Sequence, residues 1–370
     1  MRPKIKKSGR AFSSDNGNFI QLLCVALGVL VIVMEIKKSL DFTFDPLNST
    51  SKMEEAIVPL SSASASTSLS AWDPKMNPLG IPPGKAQPLP PPRLDNSAVV
   101  DKQRNKYGGK GDEQHLGGFG EIDPGGISPG LFKHMIQEWG VQSFMDIGCG
   151  RGFSTTWFHF HGCDVICAEG SHDAFERSLL PDKEHQVMVH DFSRGPWWPE
   201  KTYDVAWSVE FLEHVNVNYH YNYVTAFRKA AIICVTASKG GGWHHVEIHK
   251  NEWWIRKYES YGFRYDAELT EEARKVAREN KKTYRGPNDV YLDGFYVRVT
   301  LMVFVNPVVA ALPEHAHLFP ELGCGIVGSK RKCNLPLESE ADPKMYPLEL
   351  TEEQDQAWLD WISARVNQSF

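Results

Sequence analysis

The feature that most constrains this chain is a short hydrophobic strand running directly into clustered glycines. Phe144-Met145-Asp146-Ile147 leads into Gly148-Cys149-Gly150-Arg151-Gly152, and a helical stretch follows over 154–161. Glycines at a strand's carboxyl end let the backbone turn sharply and approach a ligand closely, so the segment reads as the first strand, turn and helix of a βαβ unit. The surrounding sequence agrees with that reading. From residue 131 onward strand-like and helix-like runs alternate, with strands predicted at 143–147, 164–168, 186–190, 203–208, 231–236, 263–266 and 295–304. Helices are predicted at 131–139, 154–161, 172–180, 219–229, 252–261 and 269–281. This alternation implies an α/β fold with a doubly wound, seven-stranded, mostly parallel sheet.

The spacing of the glycines narrows the ligand. A dinucleotide fingerprint needs a third glycine five residues after the first, and Phe153 stands there. The run instead resembles the Asp-x-Gly-x-Gly-x-Gly turn of the class I, Rossmann-like S-adenosylmethionine-dependent methyltransferases. Three later stretches resemble that family in the same order: the strand ending at Glu169, the His190-Asp191-Phe192 corner, and Tyr203 to Ser208 followed by Val209-Glu210-Phe211-Leu212-Glu213-His214-Val215. The resemblance covers about half the chain, roughly 115–306, and implies S-adenosylmethionine as cofactor. Asp146, Gly148 and Gly150 would form the turn, Glu169 would accept the ribose hydroxyls, and Asp191 and Phe192 would meet the adenine. Ser208 would close the site from the fourth strand. A glycine turn without a ligand and an ordinary strand-end acid are the plain structural alternatives.

Glu210, Glu213 and His214 stand at i, i+3 and i+4, so a helix beginning after the fourth strand would project all three from one face. Two carboxylates and an imidazole suit Mg²⁺ or Mn²⁺. The Glu-x-x-Glu-His pattern resembles that of metal-dependent O-methyltransferases acting on small RNAs or in the ubiquinone pathway. In the first of these a later histidine completes the site before a Glu-Trp pair, the arrangement of His249-Lys250-Asn251-Glu252-Trp253 here, with His245 as its competitor. Without metal, His214 or His245 is the candidate catalytic base. The alternative is that Glu213 and His214 only cap and pack a helix. Trp197-Trp198 and Trp253-Trp254 read as packing residues rather than sugar platforms, and the Gly-rich lead-in 115–130 either lies over the cleft or merely connects.

Outside this region the chain is organised differently. Residues 19–34 carry no charge and sit between five basic residues and the pair Lys37 and Lys38. They predict a membrane signal-anchor over 19–36, preceded by a basic cytoplasmic tail, 1–18. No small-x-small cleavage pattern follows, which disfavours a removed signal peptide. A Pro/Ser-rich stretch, 37–113, is expected to be a disordered stem, the methyltransferase-like domain to span 114–306, and 307–370 to be an irregular extension with a helix over 351–366 capped by Thr351. Cys324 and Cys333 are candidates for a disulfide, whereas Cys149, Cys163, Cys167 and Cys234 read as buried thiols. Sequons at Asn48 and Asn367 suit a lumenal side.

Charge limits the partners. The formal net charge is −6, and the first 40 residues contribute +5, leaving −11 to the rest. So acidic a remainder argues against nucleic acid. The expected partners are the membrane, through 19–36, and a small-molecule or glycan acceptor. Anchor, stem and domain together predict a type II protein of the endoplasmic reticulum or Golgi that O-methylates a glycan in the lumen. The competing readings are a ubiquinone-like or lipid phenol methyltransferase on an organellar membrane, and a non-catalytic binding protein that keeps a cofactor fold. An oxidoreductase is disfavoured by the missing glycine and the lack of a Tyr-x-x-x-Lys pair.

Overall fold

The computed structural model describes residues 107–120, 122–334 and 346–366. The predicted anchor, most of the stem and both sequons lie outside them. Among the described residues no helix is long and apolar enough to cross a membrane.

Seven strands form one sheet: β1 (Ser143–Ile147), β2 (Asp164–Glu169), β3 (Val187–Val189), β4 (Tyr203–Ser208), β5 (Ala230–Val235), β6 (Arg264–Tyr265) and β7 (Met302–Val305). Their order is β3-β2-β1-β4-β5-β7-β6. The first five pair in parallel, and only β7 runs against its neighbours β5 and β6. The described helices are α1 (Pro129–Gln137), α2 (Phe153–Phe160), α3 (His172–Glu176), α4 (Lys183–Gln186), α5 (His220–Phe227), α6 (Asn251–Ser260), α7 (Ala267–Asn280), α8 (Phe295–Thr300) and α9 (Glu352–Val366). The doubly wound, mostly parallel sheet is therefore as the alternation predicts.

Both faces of the sheet are covered, so its central strands are apolar at every other residue on each side. Phe144, Val205, Trp207, Ile232 and Cys234 enter one core layer with Phe132, Trp157 and Phe158. Met145, Ile147, Ala206, Ile233 and Phe304 enter the other with Tyr223, Phe227 and Trp254. In the first layer Phe144 stacks on Phe158 at 3.8 Å, and Phe132 meets Trp207 edge-on at 5.5 Å.

Three expectations are corrected. The strand predicted over 295–304 is a helix, α8, followed by the short β7. Its apolar run hides an i, i+3 pattern in which Val297 and Thr300 are buried while Phe295 and Val299 face solvent. Cys149 and Cys167 are paired rather than free, because the glycine turn brings Cys149 over β2 with a Cα separation of 5.9 Å.

The third is that the C-terminal extension, expected to be irregular before its helix, contains a hairpin, and it packs onto the domain core. Leu318, Phe319, Trp358 and Ile362 belong to the first core layer. A hairpin of β8 (Cys324–Val327) and β9 (Lys330–Cys333) is closed by the expected Cys324–Cys333 bridge. Thr351 caps α9 reciprocally: its hydroxyl accepts from the Gln354 N–H at 3.3 Å while its own N–H donates to Gln354 Oε1 at 2.8 Å. The buried Asp204 carboxylate, at the start of β4, accepts from His315 (2.7 Å) and His317 (3.1 Å), tying the extension to the sheet.

Candidate functional site

A cavity of about 410 Å³ opens at the carboxyl ends of β1, β2 and β4. That is where ligands bind in open α/β sheets, since the crossovers diverge there and leave a crevice. Its floor is the glycine turn. Gly148 sits at φ +74°, and a Cβ there would fall 2.3 Å from the Phe211 ring, so only glycine fits. The Gly150 N–H donates to Glu169 Oε2 (2.8 Å) and the Ser171 N–H to Glu169 Oε1 (2.9 Å), so the acid ending β2 also holds the turn in shape. Burial, against those hydrogen bonds, pushes the Glu169 carboxyl up to about 7. Asp146 lies under the turn and accepts from Thr155 Oγ1 at 2.6 Å; burial raises it to about 7 as well.

On the opposite wall Asp191 Oδ1 accepts from the Ser193 N–H (2.8 Å) and Oδ2 pairs with His115 Nε2 (3.0 Å). Burial favours the neutral Asp191 acid, but the His115 hydrogen bond and charge outweigh it and hold the carboxyl below its usual range. Phe192 is buried beside Asp191 and meets Phe211 edge-on at 6.1 Å. Asp146, Gly148, Gly150, Glu169, Asp191 and Phe192 all line the cavity, but Ser208 does not. Its hydroxyl is fully buried and donates to the Ile147 carbonyl at 2.8 Å, which fastens β4 to β1.

The residues after β4 depart from the predicted helix. Glu210 adopts φ +50°, where non-glycine residues are uncommon, and only a single 3₁₀ turn, Leu212–His214, follows. The left-handed residue is held by Thr236, whose hydroxyl accepts from the Glu210 N–H and donates to Glu210 Oε1, both at 2.9 Å. The helical face predicted for Glu210, Glu213 and His214 therefore does not form, although the Glu210 carboxyl still stands beside Glu213. Instead Glu213, His214 and His245 bring their ligand atoms within 4.8 Å of one another. His249, the residue expected to complete the group, pairs with Glu247 Oε2 (2.9 Å) and stacks on Trp253 at 3.7 Å.

The donor atoms of this trio suit a cation. Glu213 is fully buried; its Oε1 accepts from the Ser238 N–H (3.1 Å), while Oε2 has no partner among the described residues. His214 Nδ1 is also buried and unpartnered. The Gly240 carbonyl accepts from His245 Nδ1 (2.7 Å), which fixes the proton on that nitrogen and leaves Nε2 with a lone pair, as in metal-binding imidazoles. Burial, then the neighbouring Glu210, raises Glu213; burial, then His245 and His244, lowers His214 to about 3. Orphaned donors of this kind cost about 1–3 kcal/mol each unless something meets them.

Of the two alternatives the sequence left for the lead-in 115–130, the structure takes the first, a strap across the cavity. Residues His115 to Gly120 line it, so the Gly-rich lead-in does lie over the cleft. Asp112 anchors the strap by accepting from Ser171 Oγ (2.6 Å) and from the N–H groups of His172 and Asp173 (3.2 Å each). The Gln114 carbonyl accepts from Trp243 Nε1 at 3.1 Å. Gly118 presses on His214, where a Cβ would come within 2.8 Å of the ring. The one sequence signal for this strap was its glycine content; nothing local pairs His115 with Asp191, 76 residues away.

Residues 145–233 match a family model described as a methyltransferase domain. Among solved structures, the methyltransferase domain of bacterial CtHen1 is 17% identical, over 45% of this chain and 90% of that one, with a TM-score of 0.29. An S-adenosylmethionine-dependent methyltransferase from Archaeoglobus fulgidus is 15% identical, over 47% and 90%, with a TM-score of 0.31. Magnesium protoporphyrin IX methyltransferase from Synechocystis, solved with bound S-adenosylmethionine, is 12% identical, over 47% and 72%, with a TM-score of 0.29. No curated protein matches the chain.

Proposed function

We propose, from the premise that residues 145–233 are a methyltransferase domain, that this chain is an S-adenosylmethionine-dependent O-methyltransferase acting on a small hydroxylated acceptor beside a divalent cation. The observation that carries the reading is a single cavity lined by both the glycine turn with Glu169 and the imidazole of His214, which adjoins Glu213 and His245. In it the turn backbone and Glu169 would hold the cofactor's ribose, with Asp191 and Phe192 at its adenine. Glu213, His214 and His245 would hold a divalent cation, Mn²⁺ in preference to Mg²⁺ because two of the three donors are imidazoles, and it would polarise an acceptor hydroxyl and make it easier to deprotonate. Transfer from a sulfonium needs chiefly alignment and loss of the acceptor's proton, and one cavity joining the two half-sites supplies the alignment. The strap from His115 to Gly120 would keep water from the joined site.

The N-terminal segment 19–36 would keep the enzyme on an early secretory membrane with its domain in the lumen, within reach of glycan hydroxyls. An organellar membrane remains the competing location, with phenolic acceptors.

Calorimetric titration with S-adenosylmethionine tests the cofactor half, and labelled methyl transfer before and after chelation tests the metal half. Glu213→Ala is expected to abolish transfer and leave cofactor affinity within about twofold, since Glu213 touches no predicted cofactor group. Full transfer after exhaustive chelation would leave a metal-free mechanism with His214 or His245 as base.

A further inference from the structure

The glycine turn of the cofactor site is backed by a part of the chain that lies far from it in sequence. Arg151 stands between Gly150 and Gly152, whose φ values of +55° and +80° carry the backbone through the turn. Arg151 itself is buried. A buried guanidinium is costly unless its N–H groups are met, and here main-chain carbonyls from two distant segments meet them. Nε donates to the Arg177 carbonyl (3.0 Å) and Nη2 to the Arg365 carbonyl (3.2 Å). The second of these belongs to the last turn of α9. Carbonyls there have no intrahelical partner and carry the negative end of the helix dipole, so a cation from the glycine turn satisfies the end of α9.

The segment that shares Arg151 with α9 is tied on both sides. The Leu179 N–H donates to the Arg151 carbonyl (2.9 Å), and the Leu179 carbonyl accepts from Trp361 Nε1 of α9 (2.7 Å). The Arg365 guanidinium lies over the Trp361 ring at 3.2 Å and holds it in place. Trp358, Ile362 and Val366 bury the inner face of α9 in the core, and Asp355 pairs with His161, just after α2, at 3.1 Å. α9 is thus locked both to the turn and to the helix that the turn opens. None of the cavity-lining residues comes from α9, so its bearing on a ligand runs through Arg151 and the 177–179 segment.

We infer that Arg151 is a positioning residue for the cofactor turn and that α9, acting through it, sets the affinity for S-adenosylmethionine. Glu169 holds the turn from the β2 side through the Gly150 N–H, and Arg151 holds it from the α9 side. Coupling between sites is reciprocal, so cofactor binding should tighten the docking of α9 by the same factor. The inference rests on S-adenosylmethionine being the cofactor, and it adds to that site a helix outside the family-matched residues 145–233.

Hydrogen exchange on the full-length protein, read by mass spectrometry with and without saturating S-adenosylmethionine, tests this without any substitution. The amides of α9 are expected to slow by at least about tenfold more than those of α7, which packs on α1 and α8 and serves as the internal reference. Calorimetry supplies the second arm. Arg151→Ala should weaken S-adenosylmethionine binding by about tenfold, and Arg151→Lys, which keeps the charge but has no fork to span both carbonyls, by about threefold. In Arg151→Ala the excess slowing of α9 should vanish. Trp361→Phe keeps the ring, removes only the N–H that meets Leu179, and should weaken the cofactor by about threefold even if Arg151→Ala does not fold. Equal slowing of α7 and α9 in the parent, or variants that bind the cofactor as the parent does, overturns the inference. Failure of the parent to bind S-adenosylmethionine would instead remove the cofactor reading beneath it.

Discussion

If the strap closes over the cofactor, the His115–Asp191 pair should set cofactor affinity. The pair spans 3.0 Å, with the His115 side chain 30% exposed and Asp191 7%. A hydrogen bond between charged groups contributes about 1.5–3 kcal/mol, and partial exposure trims this to about 1–2 kcal/mol. His115→Gln, which removes the charge, should therefore raise the S-adenosylmethionine dissociation constant by about five- to thirtyfold.

The pH dependence follows from two shifts. The Asp191 hydrogen bond, working against burial and helped by the charges of Asp191, Glu113 and Asp112, raises the His115 pKa. Its contribution is thus complete below the ordinary histidine value of about 6.5 and is lost as pH rises through the raised value. Asp191 is lowered, so its share is present above the ordinary value of about 3.8 and disappears only as pH falls through the lowered one. Ser193 Oγ at 3.4 Å and the His244 ring at 6.1 Å also face His115. Calorimetry near pH 6 and pH 9 should show that His115→Gln weakens binding at the lower pH and much less at the higher, any pH change common to both proteins coming from Glu169 and Asp146, which burial raises to about 7. A variant that binds as tightly as its parent at both values would refute the coupling of strap to cofactor.

Glu169→Gln should weaken S-adenosylmethionine by about 1–3 kcal/mol in the same titration, because one carboxylate oxygen that holds Gly150 or Ser171 becomes a donor. Asp204→Asn should destabilise the domain by about 3–5 kcal/mol in urea unfolding, since it removes the buried charge facing His315 and His317. Although burial opposes it, those hydrogen bonds hold the Asp204 carboxyl well below its ordinary range, so its stabilisation should survive until pH falls through that lowered value. Proteolysis of intact membrane vesicles should spare the folded domain, and glycosidase treatment should shift its mobility through Asn48; digestion from the cytoplasmic side would reverse the orientation.

The parts of this site legible in sequence are those set by neighbours along the chain. A strand followed at once by Gly148, Gly150 and Gly152 can only turn there, and the acids at the ends of β2 and β3 are placed by counting along strands of period two. The same counting fails for Ser208, which sits on the correct strand end but spends its hydroxyl on the Ile147 carbonyl.

The metal trio was misread for a different reason. Assigning Glu210, Glu213 and His214 to one helical face assumes a regular backbone, and a left-handed residue at Glu210 breaks that helix, although its carboxyl still stands beside Glu213. Nothing in a glutamate announces that conformation; its cause is Thr236, 26 residues later on the end of the next strand. Choosing between His245 and His249 has the same dependence on distant contacts. Both lie in an aperiodic loop, and the path of that loop is set by the Glu213 carbonyl accepting from Val246 and Glu247. Those two bonds hold the loop against the Glu213 turn, where His245 reaches the trio, and leave His249 to Glu247 and Trp253. The residue that completes the trio is therefore fixed by that contact, so a change that frees residues 246–247 from Glu213 should disturb cation binding and leave the glycine turn intact.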